Sequence, residues 1–366
     1  MQKVTRSRSF LPKSILITTL GLITCIGYNA AATDVVTDPV GFITLTAVGG
    51  GTPTAPKYTF QGLGMTQVPA ALGSITSFAT NDLTVGTTLV AGAYAPVAGG
   101  PNPAYFVEVT DGANPGLLDD ITGNTATDIY TANSDAANIT GATKFKVYPH
   151  WTIGTVFGPQ NQAGLLGGGS SAAADEVRVF NPLAQTSATY YYKTTGLGGT
   201  GWRSGGSSSI NQTNAVLYIE QGIVIARKTS GDVTNKLVGA VKLTNTISVI
   251  VSGGTATAPK YTYAANVYPA GIPLGTSGLY TGNPATGLGG GGSSASADEV
   301  RIFNPATQTS TTYFFKTTGL GGTGWRSGGS SSIDQSAAQI PLGVTTVIAR
   351  KVTGTFSWSM PQPFVK

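Results

Sequence analysis

The chain states one phrase twice, and any fold it adopts must accommodate that. Residues 174–212 read ADEVRVFNPLAQTSATYYYKTTGLGGTGWRSGGSSSINQ, and residues 297–335 repeat this at a constant offset of 123 with seven differences. The register persists downstream at VIARK, Val224–Lys228 and Val347–Lys351. A third phrase, TPTAPKYTF at Thr52–Phe60, returns as TATAPKYTY at Thr255–Tyr263, now at an offset of 203. The two offsets differ by about 80 residues, so the first copy carries an insertion of that size, at about 61–147. The chain therefore reads as a duplicated unit. The first β unit spans 33–240 with its insertion, and the second spans 241–366.

Composition decides what the unit is made of. Only 10% of residues are charged and 51 are glycine, a mix that disfavours helices, while 40% hydrophobic content is enough for a core. Alternating β-branched and aromatic runs bounded by Gly, Pro, Asn and Asp predict strands throughout. Examples are Val40–Val48, Ala104–Thr110, Leu117–Ile121, Thr143–Tyr148, Ser187–Lys193, Gly222–Lys228 and Gly343–Lys351. The tail from Phe356 to Pro363 reads as irregular. The expected fold is all-β: two related sandwich-like or jelly-roll-like units from an internal duplication, the first with a large β-rich insertion.

The N-terminus reads as an export signal. Lys3, Arg6, Arg8 and Lys13 precede a short apolar run at Ser14–Tyr28, and Ala30-Ala31-Ala32 supplies a cleavage site. Residues 1–32 are thus a signal peptide cleaved after about Ala32, which places the mature chain in the periplasm, on the outer surface or outside the cell. The alternative is lipidation at Cys25, the only cysteine. No later segment is apolar and long enough to cross a bilayer as a helix. Removing the signal leaves 17 basic against 16 acidic residues, so nucleic acid is not an expected partner. Residues 33–150 carry nine acids and three bases, against seven and fourteen in 151–366. This asymmetry is either two differently charged solvated surfaces or a basis for head-to-tail self-association.

Within the repeat, the loop Thr194–Ile210 is identical to Thr317–Ile333, whereas loops ordinarily diverge first. Three readings stand: a recent or homogenised duplication, glycines held at positive φ, or a contact surface. In the last, Trp202 and Arg203, with Trp325 and Arg326, contact a ligand or partner as aromatic platforms beside a cation. Against it, each indole can simply plug its own unit. A phosphate cradle is excluded, because Ser-Gly-Gly-Ser-Ser-Ser and a strand follow where a helix is required.

No catalytic constellation emerges. His150 is the only histidine and no G-x-S-x-G elbow accompanies it. The repeated acids Asp175/Glu176 and Asp298/Glu299 are adjacent on a strand and point to opposite faces, so they read as a solvated strand entry with one acid near Arg178 or Arg301. Asp111, Asp119, Asp120, Asp128 and Asp135 cluster in the insertion, but their spacing matches no calcium loop, and turn chemistry accounts for them. No metal, cofactor or catalytic residue is expected.

TDPVGFITLT near the mature start, YPHWTIGTVF (Tyr148–Phe157), and the doubled arrangement of aromatic strand, GGTGWR and apolar strand carry a resemblance. The chain resembles an uncharacterised family of exported, internally duplicated β-rich proteins with many paralogues in Verrucomicrobia. The resemblance covers nearly the whole mature chain and implies export and duplication; its motifs are architectural and imply no activity. The expected function is that of an exported, non-catalytic surface or envelope protein with a structural or adhesive, self-associating role. The alternative is carbohydrate binding through the GGTGWR loops, with a surface glycan as partner.

Overall fold

A computed structural model describes residues 38–133, 138–250 and 253–364, with the side chains of 248–250 excepted. The expected signal peptide and Asp135 lie outside the described residues.

The chain is nearly all β. It opens with β1 (Val40–Ala47) and β2 (Lys57–Gln61). The insertion follows as β3 (Ala71–Ala79), β4 (Asp82–Val85), β5 (Tyr105–Val109), β6 (Leu118–Asn124), β7 (Asp128–Thr131) and β8 (Lys144–Pro149). The first unit resumes with β9 (Trp151–Thr152), the one-turn helix α1 (Ile153–Phe157), β10 (Glu176–Asn181), β11 (Thr186–Lys193), β12 (Gly201–Ser204), β13 (Val216–Leu217), β14 (Ile223–Arg227) and β15 (Val233–Ala240). The second unit comprises β16 (Thr246–Ile250), β17 (Lys260–Ala265), β18 (Ile272–Pro273), β19 (Glu299–Asn304), β20 (Thr309–Lys316), β21 (Gly324–Ser327), β22 (Gln339–Ile340), β23 (Thr345–Arg350) and β24 (Phe356–Met360). The tail is therefore not irregular. Phe356, Trp358 and Met360 alternate inward while Ser357 and Ser359 face out, the period of a half-buried strand.

Both units use the same antiparallel wiring. One sheet runs β12-β11-β10-β14-β2 and the other β21-β20-β19-β23-β17; the ribbons β1-β15 and β13-β9 correspond to β16-β24 and β18-β22. The insertion instead closes on itself as a barrel, β3-β4-β7-β6-β5-β8. Closure removes sheet edges. Its core is separate, with Leu83, Val107, Val109, Ile121, Ile129, Phe145 and Val147 filling the interior. The two β units share one continuous core, from Ile43 and Leu45 through Trp151 and Trp202 to Trp325, Trp358 and Met360.

The two units dock reciprocally. The amide of Gln185 clamps the backbone of Tyr261, accepting from its N–H at 2.8 Å and donating to its carbonyl at 2.9 Å. Gln308 does the same to Tyr58, at 2.8 and 2.9 Å. Both glutamines hold positive φ, 55° and 57°, a conformation unusual for a non-glycine residue. Phe180 stacks on Tyr263 at 4.4 Å and Phe303 packs on Phe60 at 4.7 Å. Each contact thus has its counterpart with the units exchanged, the geometry of an isologous interface.

Candidate functional site

The repeated loop joins β11 to β12, and β20 to β21, in registers that place Tyr192 opposite Trp202 and Phe315 opposite Trp325. Four glycines in each copy sit at positive φ: 94°, 91°, 73° and 135° at 196, 198, 199 and 201, and 94°, 94°, 74° and 139° at the aligned positions. At Gly198 space is short as well, since a Cβ would lie 2.9 Å from the Ser208 carbonyl oxygen. Loss of any of these glycines forces an L side chain into a strained region, which accounts physically for their retention in both copies.

The indoles face inward. Trp202 is fully buried and Trp325 is 3% exposed. Trp202 donates from Nε1 to the Gly158 carbonyl at 2.8 Å and packs edge-on to Tyr192 and obliquely on Phe157. Trp325 meets Phe315 edge-on, and Phe315 in turn stacks on Tyr280 at 3.5 Å. Neither indole offers a face to solvent; both plug the space beneath their own loop.

The cations face inward too. Arg203 donates from Nη1 to the Trp202 carbonyl at 2.8 Å and from Nη2 to the Gly198 carbonyl at 2.7 Å; Arg326 repeats these bonds to Trp325 and Gly321, each at 2.8 Å. Lys193 reaches the carbonyls of Leu197 and Ser208, and Lys316 those of Leu320 and Ser331. Each loop is therefore wrapped around one guanidinium and one ammonium that satisfy its inward carbonyls. The copies differ in one respect. Arg326 also pairs with Asp334 at 3.1 Å, where the first copy has Asn211. The large side chains that the loops expose, among threonines and serines, are apolar: Leu197 is 95% and Leu320 94% exposed, with Ile210 and Ile333 at 60% and 61%.

Other basic residues are also spent internally. Arg227 pairs with Asp175, and Arg350 with Asp298 at 2.9 Å; Lys228 and Lys351 each bond their Glu176 or Glu299 at 2.6 Å. Arg178 and Arg301 close the network on the same glutamates at 2.6 Å. The repeated acids are thus buried and paired rather than solvated, although the expected pairing with Arg178 and Arg301 is present. Lys242 is likewise buried against Glu108 of the barrel. Among the described residues, most basic side chains of 151–366 are therefore buried rather than displayed on the surface. Sequence could not locate the partners of Arg227, Lys228 and Lys242, because those lie 52 to 134 residues away.

In the insertion, Asp111 accepts from the backbone of Thr143 and Lys144, and Asp128 from the hydroxyls of Thr125 and Thr127. These are turn-stabilising bonds, and they hold both carboxyls below the usual aspartate range, working against desolvation at Asp111. Among the described residues no group of three or more acidic, histidine or cysteine side chains is placed to hold a metal ion. Asp120 differs from its neighbours. It bonds His150 Nε2 at 2.9 Å and accepts from the Tyr218 hydroxyl at 3.1 Å, joining the barrel to the first unit.

Compared with protein-family models, curated proteins and solved structures, the chain matches none. No helix among the described residues is long and apolar enough to cross a membrane.

Proposed function

We propose that the chain is an exported, non-catalytic structural or adhesive protein that associates with copies of itself through the tips of its repeated loops. The observation that carries this reading is the exposure of Leu197 and Leu320 at the crest of loops whose inner faces are locked by buried Lys, Arg and Trp. Holding a leucine in water on a rigid support gives up about 1.5–3 kcal/mol of burial that a partner surface could recover. Two such tips on one chain make each molecule bivalent, and a second copy carries the same surfaces, so contacts can be self-complementary or continue from molecule to molecule. Association of this kind is apolar and strengthens in sulfate, unlike one driven by surface charge.

The test is light scattering after size exclusion of residues 33–366, alone and as the Leu197→Asp/Leu320→Asp double variant. The reading expects assemblies that persist in high salt and a monomeric variant with unchanged thermal stability. A wild-type chain that stays monomeric across concentration and salt refutes it.

A further inference from the structure

The cleft between the barrel and the first unit, away from the repeated loops, has the chemistry of a binding site. A cavity of about 170 Å³ is walled by Phe106, Tyr218, His150, Asp120 and Glu220 among others. It adjoins a second cavity of about 350 Å³, and Leu118, Tyr218 and Glu220 line both. The second has a mixed lining whose apolar part includes Leu183, Ile247 and Tyr263.

Three polar groups of the first cavity, Asp120, His150 and Glu220, can accept further hydrogen bonds, beside Asn133, whose amide donates to Asp119. Asp120 is a carboxylate that takes one hydrogen bond from Tyr218, so the His150 nitrogen bonded to it, Nε2, carries the proton. In the neutral imidazole Nδ1 is then an acceptor, and it has no partner among the described residues, in a residue only 4% exposed. Glu220 has no cationic partner at bonding distance among the described residues. Burial, helped by the nearby charge of Asp120, pushes its carboxyl up to about 7 against the pull of its own backbone N–H and the weaker one of Lys242. Phe106 and Tyr218 flank these acceptors through their contacts with the His150 ring, at 4.8 and 5.0 Å between centroids.

We propose that this cleft binds a small organic ammonium ion, its head among Asp120, Glu220 and His150 Nδ1 and its apolar body in the adjoining cavity. An ammonium brings three donors and no acceptor, which suits Asp120, Glu220 and the open nitrogen of a neutral His150, and aromatic rings favour a cation beside them. A sugar hydroxyl would bring acceptors the wall does not need. A bare metal ion lacks a sufficient ligand group among the described residues. Binding draws Glu220 into its ionised form and so releases a proton near neutral pH; the charged and titratable groups facing that change are Asp119, Asp120, His150, Tyr218 and Lys242.

The experiment is isothermal titration of residues 33–366 with n-butylammonium chloride at pH 6.5, in two buffers of different ionisation enthalpy. The expected result is saturable millimolar or tighter binding with net proton release. Glu220→Gln should weaken it about tenfold, the scale of one charge-assisted bond, and abolish the proton release. Leu183→Lys, at a 78% exposed position on the adjoining cavity, should weaken binding without touching the fold. Absence of binding at millimolar ligand overturns the proposal. So does equal binding of neutral n-butanol or of calcium, or a Glu220→Gln protein that binds as the wild type does.

Discussion

Lys242→Met tests the joint between the barrel and the body. Lys242 is fully enclosed, and its ammonium meets the Glu108 carboxylate from β5, the Thr244 hydroxyl at 2.6 Å and the Asn245 carbonyl. Glu108 is 1% exposed and also accepts from the Thr244 hydroxyl. Burial pulls the lysine below its usual pKa range while Glu108 pulls it back, so the pair is held together under strong desolvation. Methionine fills the same volume but leaves a buried carboxylate without its counter-charge, which costs about 3–5 kcal/mol. That is a large share of the roughly 5–15 kcal/mol that stabilises a typical domain. Lys242→Met/Glu108→Gln removes both charges together and should recover most of the loss. Urea unfolding followed by tryptophan fluorescence reads this as a lowered midpoint at unchanged slope. A single variant within about 1 kcal/mol of wild type, or a double variant as unstable as the single, refutes the reasoning.

Trp202→Ala should cost about 3–5 kcal/mol in the same assay, as removal of a fully buried indole requires, and Trp325→Ala should do likewise; a loss below about 1 kcal/mol would return the indoles to consideration as contact residues. Glu220→Gln should alter the pH dependence of stability. The folded carboxyl titrates near 7 and the unfolded one near 4.5, so the wild type loses stability as pH rises through that window, whereas glutamine cannot ionise. Scanning calorimetry should therefore show the variant melting higher than wild type at pH 8 and equal to it below pH 4.5, and a difference independent of pH would contradict this. Gln308→Ala removes two bonds to the Tyr58 backbone and should destabilise by about 1–3 kcal/mol; hydrogen exchange at Tyr58 should quicken, and unchanged protection there would count against the clamp.

Much of this architecture was legible because it rests on local pattern. Lys-Phe-Lys-Val-Tyr at 144–148 alternates, and Phe145 and Val147 indeed fill the barrel. The glycines of the repeated loop were readable as positive-φ positions because no other residue adopts them cheaply. What stayed hidden depends on partners distant in sequence. Nothing at Trp202 announces that its N–H will meet the Gly158 carbonyl, 44 residues earlier. Asp175 looks like a solvated acid until Arg227 folds against it. Barrel closure was illegible for a related reason: β3 and β6 each carry a bulge, which breaks the period of two on which strand recognition relies. The tail was misread because its serines mask an alternation of only three apolar residues.

The reciprocal glutamine clamps have a consequence for how such a chain can vary. Two separate copies docked this way would be bound by their symmetry, so any segment added to one would be added to the other. Here five residues, 241–245, tether the partners, and the encounter becomes intramolecular at an effective concentration on the order of millimolar. Dilution can no longer part them. The halves are then free to differ, and the barrel is present in only one of them.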